Sequence, residues 1–202
     1  MTGPTTEPVA EPVRAPGRPR SERADDAIVD AAIALLVEGG FDRVSMDAVA
    51  TRAGVSKATI YRRWPSKEAL VIDAVARRTD PFPAVEPASS VRDRLVSLLE
   101  AILATSRSGV GGLLPAMVGA SVSNPALAAC YRERIIEPRR VRIGDILRAG
   151  IAAGELRADL DVELAIDLVV GPLLYRIVFP RGEVAPEHCA RFVDTALAGL
   201  AP

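Results

Sequence analysis

The segment from residue 45 to residue 67, SMDAVATRAGVSKATIYRRWPSK, constrains the fold of this chain more than any other. Ser45 and Ser56 stand where two short helices would begin, and a serine hydroxyl at that position accepts a backbone N–H. Gly54 lies between them, where a glycine ends a helix in the left-handed conformation without steric cost. Pro65 stops the second helix. The spacing predicts a helix-turn-helix, a motif whose second helix can lie in the major groove of DNA.

The positive charge of the chain is concentrated in this segment. The whole chain has a formal net charge of −1, whereas residues 43–68 carry six basic and two acidic side chains, a net charge of +4. Only two of the 25 basic residues are lysines, Lys57 and Lys67, and both flank the second helix. A basic helix alone is usually a solvated face. The caps, the turn glycine and the charge occur together here, and together they favour DNA binding.

The sequence FDRVSMDAVATRAGVSKATIYRRWPSKEALV, residues 41–71, resembles the DNA-binding segment of the tetracycline-repressor (TetR) family. The resemblance is detailed over residues 23–78 and covers the rest only in helical layout and length. It implies that the second helix contacts bases and phosphates and that the lysine opening the next helix binds phosphate. Arg62, Arg63 and Trp64 depart from the tyrosine or histidine and phenylalanine of many relatives, so the operator sequence does not follow. The candidate DNA-binding residues are Ser45, Lys57, Ala58, Thr59, Tyr61, Arg62, Arg63 and Lys67.

Composition argues against several other classes of protein. No apolar run approaches the ~20 residues that span a bilayer, and the N-terminus has no apolar signal core. Cys130 and Cys189 are too few for a disulfide framework and have no metal-ligand spacing. The single histidine, His188, has no nucleophile or ligand partner nearby in the sequence. We therefore expect a cytoplasmic protein that is not an enzyme and that holds no cofactor or metal.

Residues 1–20 form a proline-rich segment without apolar periodicity, which we expect to be disordered. Within it, Gly17-Arg18-Pro19-Arg20 is similar to the core of an AT-hook, an extended arm that lies in a narrow minor groove. A solubilising tail is an equally good interpretation of the same composition. Both remain open.

Helical periodicity predicts an all-α fold with a three-helix DNA-binding domain at residues 21–79 and a helical effector-binding and dimerisation domain at residues 80–202. Gly39-Gly40 should end the first helix, and the proline-rich residues 80–83 should break the chain between the domains. Pro138 should kink or break a long helix near Glu137. The predicted helices cover residues 23–39, 45–54, 56–64, 67–78, 90–106, 113–122, 125–154, 162–179 and 186–200.

The helix predicted at residues 162–179 has three charged residues among eighteen, and its apolar residues lie nearly all round. Such a helix must be covered on most sides. In a chain of this size, one side can meet the core while another meets a second copy. We predict a homodimer through residues 162–179 and 186–200, which implies a roughly palindromic DNA site. The alternative is a monomer with both helices buried in its own core.

The helical C-terminal half is long for a dimerisation clamp, and a bundle of this size can open a pocket. The family resemblance implies that a small molecule binds there and releases the operator, and it alone favours a repressor over an activator. Aliphatic residues at the predicted pocket suggest a hydrophobic effector, although for any one of them ordinary core packing is the better interpretation. An alternative function is a DNA-binding protein without an effector, whose C-terminal domain serves only dimerisation or partner binding. The candidate pocket residues are Leu113, Leu114, Met117, Val118, Tyr131, Leu173, Leu174 and Arg176.

Overall fold

A computed structural model of the protein describes residues 20–79, 89–108, 111–180 and 182–199. Within these residues the secondary structure is helical and contains no strand, which confirms the all-α prediction. None of the described helices is both long and apolar enough to cross a bilayer. The described helices are α1 (Arg20–Arg43), α2 (Met46–Ala53), α3 (Lys57–Tyr61), α4 (Lys67–Arg78), α5 (Val91–Arg107), α6 (Leu113–Ser123), α7 (Pro125–Tyr131), α8 (Glu137–Ala152), α9 (Val162–Val178) and α10 (Pro186–Ala198), with a π-helical turn (Arg132–Ile136) between α7 and α8.

The helix-turn-helix forms through the local signals that predict it. Ser45 Oγ accepts a hydrogen bond from the Ala48 N–H at 3.1 Å, and Ser56 Oγ accepts one from the Thr59 N–H at 3.2 Å. Each bond satisfies a backbone donor that the first turn of its helix leaves without an intrahelical partner. Gly54 ends α2 in the left-handed conformation, with φ 65° and ψ 34°. The chain therefore turns between α2 and α3 without backbone strain.

The bounds of α3 and α1 differ from the sequence prediction by a few residues. α3 ends at Tyr61, short of the predicted end near Trp64, but the Trp64 N–H still bonds to the Ile60 carbonyl at 3.0 Å. The backbone after Tyr61 therefore continues as a hydrogen-bonded turn up to Trp64. α1 begins at Arg20, and its backbone leaves helical geometry at Gly39 and Gly40, as predicted.

One hydrophobic core joins the first four helices to α6 and α7. Many of its Ile, Leu and Met side chains are fully buried, and burial of each contributes about 1.5–3 kcal/mol. The helix-turn-helix therefore packs directly on part of the C-terminal half. Members of this core are Ile28, Leu36, Ile60, Leu70, Ile72, Leu113, Met117 and Leu127.

A second core lies between α5, α8, α9 and α10. Asp161 begins α9, where its Oδ1 accepts a hydrogen bond from the Leu164 N–H at 3.1 Å. Pro172 lies inside α9 and leaves the helix continuous to Val178. The fully buried members of this core include Leu95, Leu98, Leu99, Leu147, Val169, Leu173 and Val193.

The kink or break predicted near Glu137 is instead a π-helical turn. The Glu137 N–H bonds to the carbonyl of Arg132, five residues back, and the chain continues into α8. Pro138 then occupies the first turn of α8, where its missing N–H costs little. A π-turn adds one residue to the helix, so the proline ring can be accommodated without a break.

Two predictions fall outside the described residues. These are the N-terminal arm with its AT-hook-like sequence, apart from the Arg20 backbone that begins α1, and the chain break at residues 80–83.

Candidate nucleic-acid interface and internal cavity

Most of the predicted DNA-contacting residues lie on α3 and the turn after it, while Ser45 precedes α2 and Lys67 begins α4. Thr59 and Lys67 are half-buried, and the others are exposed, whereas Ile60 points into the core. The exposed members are Ser45, Lys57, Ala58, Tyr61, Arg62 and Arg63.

Two of the predicted cationic contacts are held by acidic residues of the chain itself. Lys57 Nζ lies 2.6 Å from Asp47 Oδ1, and the hydrogen bond to this carboxylate raises the pKa of Lys57. Arg63 forms an ion pair with Asp25 of α1, and the Asp25 side chain is only 12% exposed. The Lys57 pair is exposed and can exchange for phosphate at little cost. The Arg63 pair is more enclosed and fixes the turn after α3 against α1.

Three further residues make local contacts that hold their side chains in place. Lys67 Nζ lies 3.9 Å from the centroid of the Phe41 ring. Thr59 Oγ1 is 3.0 Å from Ser56 Oγ, and Ser45 caps α2. An ammonium group over an aromatic face keeps much of its hydration, so Lys67 remains suited to a phosphate contact.

Tyr61 and Arg62 differ from these neighbours. Tyr61 is 52% exposed, and within the described part of the chain neither side chain makes a hydrogen bond or an ion pair. A guanidinium group can donate two parallel hydrogen bonds to the major-groove edge of guanine. These two residues therefore have the chemistry and the exposure needed to read bases.

The helices around α3 are tied together by charged and polar contacts. Arg52 of α2 donates two hydrogen bonds to Glu38 of α1, at 2.6 and 2.8 Å, and this pairing lowers the pKa of Glu38. Trp64 Nε1 donates to Asp73 Oδ2 of α4 at 3.0 Å. The orientation of α3 is therefore set by α1 and α4 together.

A cavity of about 500 Å³ lies between the C-terminal end of α4 and helices α5, α6, α8 and α9. Its walls are mainly aliphatic, and Tyr131 is the single aromatic residue among those that line it in the described chain. The lining comprises Val75, Thr79, Leu98, Ile102, Thr105, Ser106, Gly111, Leu113, Leu114, Val118, Tyr131, Ile136, Arg139, Arg140, Ile143, Ile166, Asp167, Val170, Gly171, Leu174 and Ile177.

The structure places five of the eight predicted pocket residues at this cavity: Leu113, Leu114, Val118, Tyr131 and Leu174. The other three do not line it. Met117 and Leu173 are fully buried in the first and second cores, respectively. Arg176 turns to the Phe192 ring, with its guanidinium carbon 5.5 Å from the ring centroid.

Sequence reasoning missed the polar residues of the cavity. Arg139 Nη2 donates hydrogen bonds to the carbonyl oxygen and, at 2.8 Å, to Oγ1 of Thr79, at the end of α4. Arg140 donates to Asp167 at 2.5 Å and to Glu163 at 2.7 Å, both on α9. Consecutive arginines on a helix suggest a solvated face, so no local signal would have identified them.

Burial also affects the aromatic residue of the cavity. It raises the pKa of Tyr131, and the positive charge of Arg139 opposes this effect in part. The phenol is therefore neutral near pH 7 and can donate a hydrogen bond to a molecule in the cavity.

The outer face of α9 carries an uncovered apolar stripe. Leu164, Leu168, Tyr175 and Phe179 are each between 48% and 59% exposed, and the Tyr175 and Phe179 ring centroids are 5.3 Å apart. The spacing places all four on one face of the helix. The outward residues of α10 are mainly polar and include Arg191, Asp194 and Thr195.

The histidine and the cysteine of α10 serve local structure. His188 Nδ1 accepts a hydrogen bond from the Ala185 N–H at 3.0 Å, at the start of the helix. Cys189 is fully buried, and burial raises the pKa of its thiol. Among the residues that the structure describes, no three histidine, cysteine or acidic side chains form a group that could hold a metal ion.

An exposed basic helix on a helix-turn-helix, followed by a helical domain, defines a class of DNA-binding transcriptional regulators. Residues 28–74 match the family model of bacterial regulatory proteins, tetR family, and residues 85–196 match that of the tetracyclin repressor-like C-terminal domain. The two matches cover most of the chain.

The proteins that this chain resembles are also transcriptional regulators. The chain is 40% identical over 186 residues to the HTH-type transcriptional regulator YdeS of Bacillus subtilis (strain 168), covering 91% of this chain and 93% of YdeS. It is 28% identical over 182 residues to the DNA-binding transcriptional repressor TetR of Mycobacteroides abscessus, covering 90% of this chain and 95% of that protein. The fold matches the crystal structure of the TetR family transcription regulator SCO0332 with a TM-score of 0.67 and 29% identity, covering 89% of this chain and 100% of that one.

The chain therefore belongs to the TetR family of helix-turn-helix transcriptional regulators, which confirms the resemblance seen in residues 41–71. Regulators of this family bind DNA and act as dimers with effectors.

Proposed function

We propose that this protein is a homodimeric repressor that binds a palindromic operator through α3 and releases it when a small hydrophobic molecule fills the cavity. The position of α4 carries this proposal. Asp73 of α4 holds Trp64, which lies three residues past the end of α3, while Val75 and Thr79 of the same helix line the cavity. A molecule that displaces the C-terminal end of α4 therefore acts on the element that orients α3.

The contacts around α3 support a division of roles at the DNA. Arg62 and Tyr61, which make no hydrogen bond or ion pair within the described residues, read base edges. Phosphates are contacted by Ser45, Lys57, Thr59 and Lys67, while Ala58 packs against the groove. Arg63 serves mainly to position the turn, because Asp25 holds it.

The apolar stripe on α9 supports the dimer interface. Four large apolar side chains at about half exposure on one helix face are costly to leave in water. Pairing α9 with its copy about a two-fold axis covers the stripe, and the polar outer face of α10 forms the rim. A two-fold dimer presents two copies of α3, which accounts for a palindromic site.

Release by an effector requires differential affinity. A molecule in the cavity can displace DNA only if it binds the DNA-incompetent arrangement of the dimer more tightly than the competent one. The cavity volume of about 500 Å³ falls within the roughly 300–1,000 Å³ of small-molecule sites, and its aliphatic walls suit an apolar ligand.

The first experiment is the selection of duplexes bound by the purified full-length protein from a random DNA pool, at a stated salt concentration. We expect an enriched near-palindrome. Binding that is merely salt-sensitive, without enrichment, would contradict sequence reading by α3.

Once the operator is known, small molecules are screened for those that raise the melting temperature of the protein and lower its affinity for the operator. Leu174→Trp, which fills part of the cavity, should retain DNA binding and lose the response. Val122→Trp, at an 83% exposed position on α6, should retain both. If no molecule meets both criteria, the C-terminal domain serves dimerisation or partner binding alone.

A further inference from the structure

Asp47 is an acidic residue on the surface formed by the proposed DNA-contacting residues. It lies in the first turn of α2, two residues after Ser45, and its Oδ1 is 2.6 Å from Nζ of Lys57 at the start of α3. Ser45 and Lys57 are both among the proposed phosphate contacts. A carboxylate in the first turn of a helix stabilises the helix dipole, but beside phosphates its charge opposes binding. A negative charge at this place is therefore unfavourable for DNA affinity.

The ion pair of Asp47 and Lys57 is open to solvent. The Asp47 side chain is 72% exposed and that of Lys57 is 53% exposed. An exposed ion pair changes an equilibrium constant by at most about fivefold, so the lysine can leave the carboxylate when DNA approaches. Its ammonium group has three donors and can also bind the carboxylate and a phosphate oxygen together. In both arrangements the negative charge of Asp47 offsets the positive charge that Lys57 brings to the DNA.

The other lysine beside α3 has no such partner. Lys67 Nζ lies 3.9 Å from the centroid of the Phe41 ring, and within the described residues Lys67 makes no ion pair. An aromatic ring carries no net charge, so the full charge of Lys67 is available to a phosphate. The two lysines that flank α3 therefore differ in effective charge, and the difference originates in Asp47.

We propose that Asp47 limits the affinity of this protein for DNA by holding Lys57 and offsetting its charge. Asp47 is a positioning residue, because it acts through Lys57. Binding to unrelated DNA depends on phosphate contacts, whereas operator binding adds base contacts. Weakening one phosphate contact in each subunit therefore leaves more of the protein free of unrelated DNA and available to its operator. This inference rests on the proposed function and assigns to Asp47 the regulation of that DNA contact.

The test uses the full-length protein, an operator duplex and an unrelated duplex of equal length. Affinity for each duplex is measured by fluorescence anisotropy at several salt concentrations. Asp47→Asn preserves the size of the side chain and removes its charge. We expect this variant to bind both duplexes about two- to fivefold more tightly for each bound subunit, with a salt dependence steeper by about 0.9 per subunit. Asp47→Glu keeps the charge and should keep the parental salt dependence.

The matched control is Asp145→Asn on α8. Asp145 also forms an exposed ion pair, with 2.9 Å between its Oδ1 and Nη1 of Arg148, and its side chain is 65% exposed. The two substitutions change the net charge of the protein equally, but only Asp47 lies beside α3. Asp145→Asn should therefore retain the parental affinity and salt dependence. Equal gains from both variants would mean that net charge sets the affinity, which overturns the inference.

A double variant tests whether Asp47 acts through Lys57. In a Lys57→Ala background, Asp47→Asn should lose more than half of its effect on the logarithm of the binding constant. If more than half of the effect persists there, Asp47 repels phosphates directly, and its positioning role is overturned. Melting temperatures verify that each variant is folded. Should Asp47→Asn be unfolded, Asp47→Ser, which keeps a polar side chain in the first turn of α2, supplies the same comparison.

The outcomes separate this inference from the proposed function. A parental affinity and salt dependence for Asp47→Asn overturn the inference, while an enriched operator would leave the proposed function intact. Failure to enrich an operator would instead contradict the proposed function. The salt dependence on the unrelated duplex would then still decide whether Asp47 offsets the charge of Lys57.

Discussion

Trp64 Nε1 donates a hydrogen bond of 3.0 Å to Oδ2 of Asp73, and this bond connects the turn that follows α3 to the middle of α4. The same carboxylate oxygen lies 2.9 Å from Nε of Arg77. The guanidinium carbon of Arg77 is 6.0 Å from the centroid of the Trp64 ring. The three side chains form one cluster. A displacement of α4 therefore moves Asp73 and Arg77, the residues that hold Trp64 and the turn after α3.

Replacing Trp64 with phenylalanine should therefore affect both stability and DNA binding. The hydrogen bond to Asp73 is lost while most of the apolar contact remains, and we expect a cost of about 1–2 kcal/mol in the free energy of unfolding. Operator affinity should fall because α3 is less firmly held. Trp64 is the only tryptophan, so the variant has no tryptophan fluorescence to report unfolding. Urea unfolding of both proteins is therefore followed by far-UV circular dichroism at a fixed protein concentration. Asp73→Asn, which keeps an acceptor oxygen, should cost less. Parental values for Trp64→Phe in both assays would show that the bond has no such role.

Arg62 and Arg63 are adjacent in sequence, but we expect their removal to affect different properties. Loss of Arg63 should lower stability, whereas loss of Arg62 should lower sequence discrimination. Arg63→Ala leaves the carboxylate of Asp25 without its cation. Because the Arg63 side chain is 30% exposed, the cost should fall below the 3–5 kcal/mol of a fully buried pair, to about 1–2 kcal/mol. Arg62→Ala should change stability by less than about 0.5 kcal/mol and relax sequence discrimination by about 1–3 kcal/mol. Urea unfolding and binding to single-base variants of the operator measure the two effects. The reverse pattern would exchange the roles of the two arginines.

Features encoded by adjacent residues could be predicted from the sequence. Ser45, Ser56 and Asp161 each bond to a backbone N–H three residues ahead, and Gly54 needs only its own backbone freedom. Such signals depend little on the remainder of the chain, so the helix order and the helix-turn-helix could be derived without a structure.

Features that depend on packing between distant helices could not be predicted in this way. Met117 and Leu113 both lie on α6 and both belong to the core shared with the first four helices, yet only Leu113 also lines the cavity. The contact between Arg139 and Thr79 joins residues 60 positions apart. Neither residue carries a local pattern that identifies its partner.

Lys67 provides a test of phosphate contacts that does not involve sequence reading. Lys67→Ala should weaken binding to all duplexes by a similar factor, and it should reduce the salt dependence of binding by about one counterion per half-site. Loss of the contact with Phe41 should cost at most about 1 kcal/mol of stability, because the lysine is partly exposed. Titrations of operator and unrelated DNA at several salt concentrations give both quantities. A change in preference among sequences would mean that Lys67 reads bases.

The apolar stripe on α9 leads to a prediction about assembly. Leu168 is 48% exposed in the single chain, so a glutamate there is tolerated by the monomer but would bury two unpaired charges at a two-fold interface. Leu168→Glu should yield a monomer by light scattering at micromolar concentration, with helical content retained. Operator affinity should fall steeply, because each monomer reads one half-site.

The control for this experiment is Val122→Glu, which also adds a charge at an exposed apolar position but lies on α6, away from the stripe. It should leave both mass and operator affinity unchanged. A dimeric Leu168→Glu protein would place the interface elsewhere, and a monomeric Val122→Glu protein would place it at α6. If the parent protein is itself a monomer at micromolar concentration, α9 does not form a stable interface and the palindromic operator loses its structural basis.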